Sequence, residues 1–137
     1  MFDYSENTRT DGIGHLEEIM RLMKIKEWAV QTERHQLAAS IDERVQEMPL
    51  SVTVREGWKL PGSTSAPEEF EILLGTGGPA VRLYGTLDAW CYPDEVQLQN
   101  QDWGTPWQRV CTKGLKWSHL EIHDALRDFA GTFYFGE

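Results

Sequence analysis

EFEILLGTGGPAVRLYGTLD, residues 69–88, sets two apolar runs on either side of a glycine-rich link. Phe70, Ile72 and Leu74 alternate with Glu69, Glu71 and Leu73. Beyond the glycines, Val81, Leu83 and Leu87 alternate with Arg82, Tyr84 and Thr86. A period of two sends alternate side chains to opposite faces of a strand. The link is either a phosphate cradle or a turn. A phosphate-binding loop needs GxxxxGK and a hydroxyl residue opening a helix, with the lysine on the phosphates. No lysine follows Gly78, and Pro79 leads into the second alternating run, so GTGGP (75–79) reads as a hairpin turn.

Outward from this hairpin the same rhythm continues. SVTVREGW (51–58) places Val52 and Val54 on one face and reads as a strand; LPGSTSAPEE (60–69) is a loop by composition. DAWCYPD (88–94) turns the chain, EVQLQNQDW (95–103) alternates through Val96 and Leu98, and WQRVCT (107–112) predicts a fifth, weaker strand. Near the end, Ser118 with Glu121 three residues on forms a capping box, and Trp117 with Ile122 a hydrophobic staple. Leu120, Ile122, Leu126 and Phe129 suit a buried helical stripe that Gly131 can close. The aromatic tail TFYFGE is expected to dock as an edge strand or pack on the sheet.

Before the strands, Ile13, Leu16, Met20, Met23, Val30, Leu37 and Ile41 recur at helical spacing. One unbroken helix over residues 13–48 would run about 50 Å at 1.5 Å per residue. A compact chain of this length has a radius of gyration of about 14 Å. The helix must therefore break, or project and pair with a second copy along that seam. Ser40 followed by Glu43 favours a break near Ala39. Helices, hairpin-linked strands and a final helix make an α+β fold: N-terminal helices over about 13–48, then an antiparallel meander of four to five strands and a C-terminal helix over about 50–137, in one domain.

Charge and cysteine content narrow the chemistry. With 22 acidic against 13 basic residues the formal charge is −9, and there is no Lys/Arg cluster, so direct nucleic-acid binding is not expected. The acidity serves solubility or attracts a basic partner. No apolar run reaches the length of a membrane span, and the start MFDYSENTRTDG lacks a secretory pattern. Two cysteines, Cys91 and Cys111, make no disulfide framework, which fits a reduced cytoplasm.

His119 and His123 stand four apart on the predicted helix, a spacing that can chelate zinc, and Cys91 and Cys111 would complete four ligands. The cysteines lack CxxC pairing and the histidines are not HExxH, so two solvent-facing histidines are the alternative. No GxSxG elbow is present, and Asp88, Asp94, Glu95 and Asp102 read as solvated loop acids. No cofactor is expected. In QDWGTPW (101–107) the indoles of Trp103 and Trp107 either cover a sheet edge or join Trp90 and Tyr92 in an aromatic contact surface rimmed by Asp88, Asp94 and Asp102. Trp107, which begins a strand, is expected to be structural, and Trp103 at least partly exposed beside Asp102.

LSVTVREGWKLPG, PEEFEILLGTGGPAVRLYGTLD, QDWGTPW and FYFGE together resemble a family of small, uncharacterised proteins of phages, prophages and plasmids, over roughly residues 49–137. The family supplies no catalytic residues to carry over. The resemblance implies a small acidic accessory protein of a mobile element, a setting in which anti-CRISPR and anti-restriction inhibitors are common. The leading expectation is therefore a non-enzymatic protein that binds a host defence nuclease complex in the cytoplasm. A zinc protein or small hydrolase using His119 and His123, and a regulatory dimer built on the N-terminal helix, are the alternatives.

Overall fold

The computed structural model describes residues 4–63, 66–76, 80–102 and 104–135. Its elements are α1 (Tyr4–Gln31), α2 (His35–Glu47), β1 (Ser51–Glu56), β2 (Pro67–Gly75), β3 (Ala80–Leu87), β4 (Pro93–Gln101), β5 (Gln108–Arg109) and α3 (His119–Ala130). The strands form one antiparallel meander in the order β1-β2-β3-β4-β5, so the expected α+β architecture holds. No helix among the described residues is long and apolar enough to cross a membrane.

The central hairpin follows its alternation. Phe70 pairs with Gly85 and Ile72 with Leu83, while Leu73 pairs with Arg82 on the opposite face. Phe70, Ile72, Leu74, Val81 and Leu83 are buried. Residues 77–79 of the glycine link lie outside the described residues. At Gly85 a Cβ would collide with the Glu95 carbonyl and come within 2.9 Å of the Phe70 ring, so only glycine lets β3 pass there.

The helices lie across β3 and β4, with α2 folded back on α1. Leu16, Ile19, Leu22 and Met23 of α1, Ile41 and Val45 of α2, and Ile122, Leu126 and Phe129 of α3 join the sheet's inner face in one buried cluster. Leu16, Met23 and Ile41 of the expected seam thus face the chain's own sheet and helices, whereas Val30 of the same seam is 56% exposed. At Gly12 a Cβ would stand 2.7 Å from Val110 Cγ2, a close approach that seats α1 on the sheet's end.

The helical region breaks, but at Thr32–Arg34 rather than near Ala39. The Arg34 N–H donates to the Ala29 carbonyl (2.7 Å) and the Glu33 N–H to that of Val30 (3.2 Å), with Glu33 at φ +58°. This is a Schellman closure whose left-handed position holds glutamate instead of glycine. Ser40 lies inside α2 and donates to the Gln36 carbonyl, so the capping box expected there does not form a helix start.

At α3 the cap is in place: Ser118 Oγ accepts the Glu121 N–H at 3.1 Å. Leu120 corrects the expected stripe, being 70% exposed; Ala125 and Ala130 take its place against the core. Gly131 closes the helix with right-handed φ, −66°. The tail packs on the sheet rather than extending it, with the Phe135 ring centroid 4.8 Å from Phe70. β5 is shorter than the expected run, and Trp107 precedes it.

Candidate functional site

The β3–β4 connection is a short loop held by its own first residue. Asp88 Oδ1 accepts the N–H groups of Trp90 (2.8 Å) and Tyr92 (3.1 Å). The Asp88 N–H in turn donates to the Tyr92 carbonyl and the Cys91 N–H to the Asp88 carbonyl. Aspartate suits this place because its short carboxylate reaches backbone donors two residues on. Cys91 sits at φ +63°, a left-handed conformation unusual for a non-glycine residue. The result is a rigid platform that leaves Trp90 81% and Tyr92 64% exposed, beside the exposed Asp94.

The expected aromatic surface is divided, however. Asp88, Trp90, Tyr92 and Asp94 stand at the start of β4, and Asp102 stands just past its other end. Nine residues of strand separate the two groups by about 30 Å. Trp103 lies outside the described residues. At its own end Asp102 closes a tight turn, its N–H donating to Thr105 Oγ1 while the Thr105 N–H donates to the Asp102 carbonyl.

Trp107 is half-buried on the sheet face away from the helices, with the Arg82 guanidinium 4.2 Å from its ring centroid. Arg82 also lies 4.7 Å from the Tyr84 ring, donates to Gln99 Oε1 (2.9 Å), and pairs with Glu71. Its side chain is 15% exposed, so aromatic faces and acceptors replace most of its hydration. Toward the edge, Arg55 pairs with Glu69. A hydrogen bond from Tyr84 and the Arg55 charge hold the Glu69 carboxyl below its ordinary range against partial burial. Burial, then Glu69, push the Tyr84 hydroxyl up.

This polar layer was missed in reading the sequence for sites. Its signal was present: the outward positions of the central hairpin carry Glu69 and Glu71 on one strand and Arg82 and Tyr84 on the next. In register they become neighbours, Glu71 opposite Tyr84 and Leu73 opposite Arg82.

The four candidate zinc ligands stand apart. Cys91 is in the β3–β4 loop, whereas Cys111 follows β5, where Arg9 of α1 donates to its carbonyl. The Lys113 N–H lowers the Cys111 thiol, with Arg9 adding to the effect. His119 and His123 share α3, and His123 Nε2 stands 3.6 Å from Glu95. Among the described residues no three His, Cys, Asp or Glu side chains form a group able to hold a metal ion. No family model, curated protein or solved structure matches the chain.

Proposed function

We propose that the protein is a binding module whose contact is the Asp88–Asp94 loop, and that it serves a mobile element by occupying a host defence nuclease complex. The observation that supports the first half is the exposure of Trp90 and Tyr92 on a loop braced by Asp88. Large aromatics held rigidly lose little entropy on docking, and such residues are frequent anchors of interfaces. A net charge of −9 favours a basic partner and speeds its encounter. A nuclease surface that normally receives nucleic acid has that character. The mobile-element setting and the anti-defence role rest on the resemblance of the blocks at 50–62, 67–88, 101–107 and 133–137.

The experiment is affinity capture of the tagged chain from a host lysate, joined to phage plaquing with and without an active CRISPR or restriction system. Enrichment of a defence nuclease together with rescued plaquing is expected. Failure of both contradicts the anti-defence role, and enrichment of a different basic protein without rescue would keep only the binding module.

A further inference from the structure

The two edges of the sheet differ in length and in cover. β5 offers two residues, Gln108 and Arg109, whereas β1 runs Ser51–Glu56 with all six residues exposed. β1 pairs with β2 alone, so among the described residues the N–H and C=O groups along its other side meet no strand. Val54 stands opposite Phe70 and Val52 opposite Ile72, which puts both valines on the sheet's inner face. The helices lie across β3 and β4, and Val52 stays 38% and Val54 46% exposed. Leu50, at 60%, and the fully exposed Trp58 extend the apolar surface past both ends of the strand.

Exposed edges usually carry a lysine, a proline, a bulge or an inward charge that stops another strand from adding. Residues 51–54 have none of these, and the ladder's irregularity comes only at Arg55 and Glu56. Over residues 48–67 the only acid is Glu56, and Lys59 pairs with it at 3.1 Å. Arg55, on the outer face, pairs with Glu69 of β2. Two copies each carrying −9 repel, and an edge of this charge lets them meet without acid facing acid. The strand is also its own complement. Antiparallel pairing about a two-fold axis at Thr53 sets Val52 of each copy opposite Val54 of the other. Thr53 then meets Thr53, a favourable cross-strand pair, and Arg55 meets Ser51 rather than a second arginine. An axis one residue further on, at Val54, would set Glu56 against Val52. Two-fold symmetry closes such a contact at two copies.

We infer that β1 is the interface for a second copy of this chain, joining two sheets edge to edge with Val52 and Val54 packed across the two-fold axis. This surface differs from the Asp88–Asp94 loop and from the N-terminal helix seam, and the inference rests on neither.

The test is light scattering of the purified chain over rising concentration, beside Val54→Lys and Val52→Lys. The unaltered chain is expected to reach the mass of two chains. Each lysine, at an exposed position, should return the mass of one chain while the amide spectrum stays dispersed. Register is read by cross-linking in a chain whose Cys91 and Cys111 are replaced by serine. Thr53→Cys should form an intermolecular disulfide under mild oxidation, because the axis brings its two copies face to face within disulfide reach. Arg55→Cys should not, as its two copies stand about four residues apart along the ladder, roughly 13 Å. A monomer at every concentration, a dimer that survives either lysine, or equal cross-linking at both positions would overturn the assignment.

Discussion

The two ends of β4 carry similar residues to opposite ends. At its start, Trp90 and Tyr92 stand in solvent on a loop tied by Asp88. Past its end, Trp107 lies half-buried against Arg82. Both segments are aromatic, acidic and turn-forming, so composition does not separate them. What separates them is the neighbouring strand. β3 offers a guanidinium on the outer face near Trp107, and an indole there gains both area and a cation. No cation lies within ring-stacking distance of Trp90 or Tyr92 among the described residues. An aromatic ring is structural where the sheet meets it and available for a partner where it does not.

The largest expected effect breaks the structural end at its centre. Arg82→Ala leaves Glu71 and Gln99 without their donor and Trp107 without its cation, at a cost of about 3 kcal/mol, as loss of one partner of a mostly buried pair does. Urea unfolding should show the midpoint fall with an unchanged slope. Trp107→Ala should cost about 2 kcal/mol, less than a fully buried tryptophan because the ring is only half covered. Asp88→Ala should cost about 1 kcal/mol through loss of the carboxylate that accepts two backbone N–H groups, and should loosen the loop in amide exchange while β3 and β4 stay protected.

Smaller effects come from pH, with opposite signs at the two ends. His15 lies against Gly75, at the sheet end shared with the Asp102 turn, and burial lowers its pKa despite Asp11. A histidine lowered on folding contributes stability that is complete above its unfolded value of 6.5. That contribution is lost as pH falls below 6.5 toward the folded value. Asp128 lines a groove with Tyr92, and burial, then Asp124, raise its pKa. A raised carboxyl favours the fold below the unfolded value of 3.8, and that advantage is gone once pH rises past the folded value. Thermal melts of His15→Gln should therefore lose acid sensitivity just below pH 6.5, and Asp128→Asn should melt slightly higher at pH 7. Shifts of the reverse sign would contradict these assignments.

Local chemistry was legible in the sequence and long-range placement was not. The hairpin of residues 69–88 is declared by alternation and glycine, and the start of α3 by Ser118, because each depends on residues a few positions apart. The break after α1 falls earlier than its expected place near Ala39 because Glu33 stands where a Schellman closure usually has glycine, while the Ser40–Glu43 pair imitates a cap inside α2. Leu120 looked like core because helical period alone does not say which flank of the stripe meets the sheet. The split of the aromatic surface follows from strand length: β4 runs nine residues, carrying Asp94 and Asp102 to opposite ends of the sheet. The Arg82 layer was readable in principle, since Glu69, Glu71, Arg82 and Tyr84 occupy outward positions of the central hairpin.

The comparison between the two ends is tested most directly by capture from a host lysate with two variants side by side. Trp90→Ala/Tyr92→Ala should keep its stability within about 0.5 kcal/mol of the unaltered chain, as exposed substitutions do, yet capture no partner. Trp107→Ala, held below its lowered melting temperature, should capture the same partner as the unaltered chain. Capture by both variants, or loss in Trp107→Ala alone, would contradict the assignment of the Asp88–Asp94 loop as the contact.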